Sequence, residues 1–175
     1  NIKTFAPIGN VGDDGIIRYL DGIAASKNDQ HLINIYKSMY YKFDIYKKLR
    51  EKDEDIPKFK YTKNDDSLLL LFDFKNFQIE ISSYSIKSAR YDKDCAHIKS
   101  WSIEISNDLK SWETIDEHSN YSGLNGPYII KTFDVRASHF ARYCLLKSSN
   151  DFYGKNDGCW ALEIDHIEFY GRLKS

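Results

Sequence analysis

Little in this chain points to a charged partner, a membrane span or a reaction. Its 175 residues hold 25 Lys and Arg against 26 Asp and Glu, a net charge of −1. No global field therefore draws it to nucleic acid or to anionic lipid. No run of about 18 apolar residues occurs, so no helix of this sequence could cross a bilayer; Leu68 to Phe72 is far too short. Cysteine is limited to Cys95, Cys144 and Cys159, an odd number at unrelated spacings. That pattern argues against a disulfide framework, reads as three small buried or loop thiols, and favours an intracellular setting. The chain begins at Asn1, which leaves open a processed start or a segment of a longer protein.

Catalytic patterns are lacking too. No G-x-S-x-G element, Gly-rich phosphate loop or metal-ligand spacing occurs. His31, His97, His118, His139 and His166 fall on apparent loops or strand ends, share no short motif with a Cys or Ser nucleophile, and read as surface histidines. Asp53 and Asp55 sit in a mixed charge run, not in an apolar cleft that would raise an acid's pKa. Asp13 and Asp14 read as a solvated turn in a Gly-rich stretch. The chain is expected not to be an enzyme and to need no cofactor or metal.

What the chain does have is aromatic, alternating sequence. Aromatics make up 15%, with 13 Tyr and 10 Phe, which suits strands. The organising stretch is Ile98 to Asp116. Trp101, Ile103 and Ile105 alternate with Ser102, Glu104 and Ser106, the period of a half-buried strand. Ser106-Asn107-Asp108-Leu109-Lys110-Ser111 then supplies turn chemistry, and Trp112, Thr114 and Ile115 read as a returning strand. Such a hairpin needs a second sheet over Trp101 and Trp112.

Further strands are expected over the apolar run Leu68 to Phe74, covered on both faces, over the alternating pieces Ile79 to Ile81 and Tyr84 to Ser88, and over Tyr128 to Val135, Phe140 to Leu146 and Trp160 to Tyr170. In the last of these the apolar phase changes between Ile164 and Ile167, which predicts a bulge near Asp165-His166. Ile16 to Leu20 is a short apolar patch between Gly15 and Gly22. His31 to Tyr46 fits a helical stripe or a strand, and Lys47 to Asp55 is a charge run. Six to eight short strands with turns between them indicate one all-β domain over residues 1–175, an antiparallel sandwich or barrel, with an irregular or helical insert around residues 30–60.

The ordered set of motifs resembles the discoidin-like domain, also called the coagulation factor V/VIII type C domain. The carrying residues are Ser100-Trp101-Ser102-Ile103-Glu104 with Ser106-Asn107-Asp108 and Trp112. Supporting them are Phe72 to Asn76, Tyr84 to Ser88, Leu124-Asn125-Gly126, Thr132-Phe133, Ala141-Arg142-Tyr143 and Ile167 to Gly171. Asp14 to Leu20 is similar to the version found in intracellular and protist members. The resemblance implies an eight-stranded jelly-roll β-sandwich with a galactose-binding-like fold. Unlike many secreted members, the chain has no cysteine near either end. His166 stands where calcium-bearing carbohydrate modules often have Glu, which argues against a structural calcium.

In carbohydrate-binding relatives the ligand sits on loops at one rim, matching Ala24 to His31, Arg90 to His97 and Asn150 to Trp160 here. Arg90, Asp92 and Asn150 could bond sugar hydroxyls, and Phe152, Tyr153 or Trp160 could stack on a sugar ring. Trp160 fits a core position equally well, whereas Phe152 and Tyr153 read as an exposed pair. Asp29, Asp92, Asp94, Asp151 and Asp157 on these loops would be repelled by anionic lipid, so membrane docking is disfavoured. Free thiols, near-neutral charge and the Lys47 to Asp55 run favour a protein-binding scaffold module, cytoplasmic or cytoskeletal. The alternative is a glycan-binding module of a surface or secreted protein.

Overall fold

The computed structural model describes residues 1–9, 14–27, 32–38, 40–41, 67–136, 138–159 and 161–175. In chain order the elements are β1 (Ile2–Phe5), α1 (Ile16–Ser26), β2 (Asn34–Lys37), β3 (Tyr40–Tyr41), β4 (Leu68–Asp73), β5 (Gln78–Ser88), β6 (Trp101–Ser106), β7 (Glu113–His118), β8 (Ile130–Asp134), β9 (Tyr143–Ser148) and β10 (Glu163–Lys174). They form two packed sheets, the expected jelly-roll type of β-sandwich. One has the order β1-β10-β5-β8, with β3 also on β10; the other runs β2-β4-β9-β6-β7. All pairings are antiparallel except the two-residue pairing of β3 with β10.

The Trp101 hairpin forms as its alternation requires. Trp101, Ile103 and Ile105 are buried and face the opposite sheet. Ser106 Oγ accepts the amides of Asp108 and Leu109, and Asp108 Oδ1 accepts those of Lys110 and Ser111, so the turn closes on its own side chains. Trp112 lies just outside β7 and is only half-buried, with its indole N–H donating to the Leu109 carbonyl at 3.3 Å. The second sheet thus covers Trp101 and not the whole of Trp112.

Tyr84 and Phe133, from β5 and β8, meet Trp101 and His118, from β6 and β7, across the sandwich. Trp101 stacks on His118 at 4.7 Å and meets Phe133 edge-on at 5.4 Å. The Trp101 Nε1–H donates to the Tyr84 hydroxyl at 2.9 Å, which donates in turn to Asp116 Oδ2 at 2.6 Å. The polar tips of Trp101 and Tyr84 are therefore bonded, as burial demands. Burial, with the Asp116 carboxylate beside it, drives the Tyr84 phenol far above its usual pKa.

Leu70 and Phe72 of β4 point into the core while Leu71 is fully buried on the other side, so that run is covered on both faces. The register of β10 on β5 shifts between Ile164 and His166, where the change of apolar phase places it, and again at Gly171.

Residues 16–26 depart from expectation: the patch is the start of an eleven-residue helix. Ile16, Ile17, Leu20 and Ala24 form its buried stripe at helical spacing. Its N-cap is Gly15, with no capping side chain and no acid in the first turn. The missing acceptor comes from Glu168 on β10, a fully buried carboxylate. Glu168 Oε1 accepts the amides of Ile17 and Phe169 at 2.8 Å each, and Oε2 accepts that of Arg18 at 3.1 Å. The Ile17 and Arg18 amides are orphan donors at the helix start and lie at the positive end of its dipole, while Phe169 is the next residue of β10. Gly15 is required by the close approach: an added Cβ would stand 2.6 and 2.7 Å from Glu168 Cγ and Cδ, with the Phe169 carbonyl nearer still. Asp14 is not a solvated turn residue. It accepts the Tyr170 hydroxyl at 2.6 Å and the Ile8 amide at 2.8 Å, fixing the lead-in to the helix.

Within the insert expected around 30–60, Asn34–Lys37 is strand, pairing with β4, which settles that part of the helix-or-strand ambiguity. The Lys47 to Asp55 run, with Asp53 and Asp55, lies outside the described residues, as do Asp13 and His31.

Candidate functional site

Two of the loops expected to carry ligands leave the sandwich at one end; the third, Ala24 to His31, lies partly outside the described residues. β6 begins there at Trp101, opposite Ser148, the last residue of β9. The Arg90–His97 loop precedes β6 and the 149–159 loop follows β9, so the two meet. Cys95 and Cys159 join them in a disulfide, with Cα atoms 5.7 Å apart. This corrects the reading of three free thiols: only Cys144 is free and buried, and burial pushes its thiol well up. A 64-residue separation and an unpaired third cysteine hide such a bridge from sequence.

The bridge is one of several ties. Ala96 N–H donates to the Tyr153 carbonyl at 2.8 Å, and Tyr153 N–H to the His97 carbonyl at 3.0 Å. His97 is fully buried, and its Nε2 faces the carbonyls of Tyr91 at 2.7 Å and Asp92 at 3.0 Å. Both partners are acceptors, so Nε2 carries the proton and donates. Asn125 accepts the Asp94 amide at 2.8 Å and donates to the Asp94 carboxylate at 2.8 Å. The backbone turns through the left-handed region at Asp94, Ala96 and Gly154. At Gly154 a Cβ would meet the Asp94 carbonyl, Cys95 Cα and Cys159 Sγ, so only glycine lets the loops touch.

On this braced rim Arg90 and Asp92 are exposed. The Arg90 guanidinium lies over the Tyr91 ring at 5.1 Å, and its bond to the Tyr91 hydroxyl raises its already high pKa. Beside it stands a residue that sequence reasoning missed. Tyr128 is 54% exposed, and it holds a left-handed backbone, φ 52°, that large side chains seldom adopt. Its amide donates to the Ala89 carbonyl at 3.1 Å, which seats it against the Arg90 loop, and Lys87 Nζ sits 5.1 Å from the ring. An aromatic directly after Asn125-Gly126-Pro127 is the signal that was there to use: it falls on the turn, not in the strand, which starts at Ile130.

The other expected contacts divide. Phe152 is 5% exposed and belongs to the core, so it offers no stacking face; the 96–97/153 backbone pairing turns it inward. Tyr153 is half-buried, its hydroxyl donating to the Tyr121 carbonyl at 3.3 Å, and Lys99 Nζ lies 5.3 Å from its ring. The expected exposed pair is therefore one core ring and one partly available ring. Asn150 is half-buried and lines a polar cleft of about 430 Å³ with Ser100, Glu104, His118 and Lys147. Trp160 lies outside the described residues.

The histidines also differ from a surface reading. His97 and His166 are buried, the latter against Asp165 at 2.8 Å, and His118 sits in the aromatic cluster with Asp116 at 2.9 Å. His139 alone of the described four is exposed. Among the described residues no three His, Cys, Asp or Glu side chains are grouped to hold a metal.

No family model and no curated protein matches the chain. Solved structures do. The C-terminal domain of a chitobiase from Bacteroides fragilis is 18% identical with a TM-score of 0.47, the alignment covering 62% of this chain and 66% of that domain. This chain therefore spans just under two thirds of that domain. CpGH89CBM32-5 from Clostridium perfringens, in complex with GalNAc-β-1,3-galactose, is 13% identical over 100% of this chain and 93% of that one, with a TM-score of 0.41. The family 32 CBM from C. perfringens NanJ, in complex with galactose, is 11% identical over 64% and 70%, with a TM-score of 0.40. The fold assignment stands on the two sheets themselves.

Proposed function

We propose that the chain is a non-catalytic glycan-binding module of a surface or secreted protein, and that Arg90, Asp92 and Tyr128 form its contact surface. The observation that carries this reading is the braced rim: two loops fixed to each other by a disulfide and by backbone pairing, holding an exposed tyrosine beside an exposed arginine. A sugar ring offers an apolar face to an aromatic plane and hydroxyls to charged hydrogen-bonding groups. Fixing the loops in advance reduces the ordering that binding would otherwise require. The disulfide also suits an oxidising compartment. The intracellular scaffold reading loses its support accordingly, since it rested on reduced thiols and on the Lys47 to Asp55 run. The discoidin-like resemblance fits the glycan reading without the intracellular subtype.

Galactose and GalNAc-β-1,3-galactose, bound in two of the solved structures, are suitable first probes within a wider glycan array. Tyr128→Ala and Arg90→Ala are each expected to weaken the best hit at least tenfold, about 1.4 kcal/mol, with thermal stability unchanged. An array without hits, or a hit that both variants retain at full strength, overturns the reading.

A further inference from the structure

The opposite end of the same sheet holds a second cleft. β6 is six residues long, so its ends lie roughly 17 Å apart at 3.3–3.4 Å per residue. The rim described above adjoins Trp101; at Ser106 the β6–β7 turn meets the β8–β9 loop, which carries His139. Between them is a cleft of about 270 Å³ lined by Ile105, Asp108, Ser111, Trp112, Glu113 and His139.

This cleft is built, not incidental. Asn107 ties its walls together: its carbonyl oxygen accepts from Gln78 Nε2 at 3.1 Å and from the Arg142 amide at 3.0 Å, while its Nδ2 donates to the Phe140 carbonyl at 3.1 Å. Trp112 is held by its N–H bond to Leu109 and leaves part of the indole on the wall. The acids are locally compensated. Asp108 Oδ1 takes the amides of Lys110 and Ser111 and the Ser106 hydroxyl, which keeps its carboxyl below the usual range. Glu113 Oε2 lies 2.6 Å from His139 Nε2, and His139 Nδ1 faces the Phe140 carbonyl at 3.3 Å. With acceptors at both nitrogens, His139 favours its charged form, and the Phe140 carbonyl and Glu113 raise its pKa.

The result is an indole wall bordered by acceptors and a hydroxyl, with little uncompensated charge. That combination suits a neutral pyranose, its C–H face on the indole and its hydroxyls toward Asp108, Ser111 and Glu113. The volume is just below the range of about 300–1,000 Å³ of pockets that enclose drug-sized ligands, which fits one sugar ring and not an extended chain. We infer that the Trp112 cleft is a monosaccharide site in its own right, at the end of the sheet away from the Arg90 rim. The inference rests on this cleft's own lining and does not require the Arg90 rim to bind.

The test is a titration of the ¹⁵N-labelled chain with methyl glycosides of galactose, glucose, mannose and N-acetylglucosamine. The indole N–H signal of Trp112 is assigned by its loss in Trp112→Phe. The expected result is a saturable shift of that signal with at least one neutral glycoside, kept unchanged in an Arg90→Ala/Tyr128→Ala chain. Disappearance of the shift in that double variant would make it a remote effect of the rim and overturn the inference. So would the lack of a shift with any of these glycosides up to about ten times the concentration that half-saturates a millimolar site. Should Trp112→Phe fail to fold, sequential assignment of the native chain identifies the same indole signal, so the titration still decides.

Discussion

Glu168→Ala is expected to destabilise the sandwich by about 3–5 kcal/mol, because several buried amides each lose an acceptor worth about 1–3 kcal/mol and a void is left beside α1. The Ile17, Arg18 and Phe169 amides all point at this one carboxyl. Urea unfolding measures the loss; a change under 1 kcal/mol would mean the helix start is satisfied some other way. Glu168 also makes a pH prediction. Burial pushes its pKa up to about 7, against the backbone N–H groups that pull it down. Its folded pKa thus exceeds that of the unfolded chain, so the folded state holds the proton more tightly. The corresponding stability is fully present below about pH 4.5 and is lost as pH rises through about 7, by about 3 kcal/mol in all. Glu168→Gln, which cannot ionise, is expected to flatten that slope. A wild-type stability that instead climbs between pH 5 and 7.5 and owes the climb to Glu168 contradicts the assignment.

Replacing both Cys95 and Cys159 by Ser is expected to remove about 4 kcal/mol, the loop-closure entropy associated with a 64-residue separation. The loss acts on the unfolded state and should appear as a lower urea midpoint with an otherwise normal far-ultraviolet spectrum. The rim should suffer more than the core. Without the bridge, the 90–97 and 149–159 loops are held by the Ala96 and Tyr153 amide bonds and by the His97 ring, and glycan affinity should fall further than the retained fold alone would suggest. If the double variant unfolds at the wild-type midpoint, the bridge does not hold the rim in the way described.

Local pattern made most of the architecture readable. The Trp101 alternation, the Ser106–Ser111 turn, the doubly covered Leu68–Phe74 run and the bulge at Asp165-His166 each announce themselves within a dozen residues, and each is present. What was not readable depends on partners far along the chain. Ile16 to Ala24 carries a helical stripe, yet two glycines and the lack of a local cap disguised it, because the cap lies about 150 residues away on β10. Cys95 and Cys159 gave no sign of pairing for the same reason. Phe152 looked exposed from its polar neighbours, but a cross-loop backbone bridge turns it into the core. Of the proposed contacts, Arg90 and Asp92 were visible as exposed polar loop residues. Tyr128 reads as the start of a strand, although the Asn125-Gly126-Pro127 turn before it is the available signal; the fold adds the left-handed backbone that leaves it exposed.

The most direct measurement is residue-level mapping of sugar contacts by backbone amide shifts during titration with the strongest array hit. The account predicts saturable shifts concentrated at Arg90–Asp94, at Tyr128 and along Tyr153–Cys159, whatever occurs at the far turn. Saturable shifts that leave these residues untouched and gather elsewhere would contradict it.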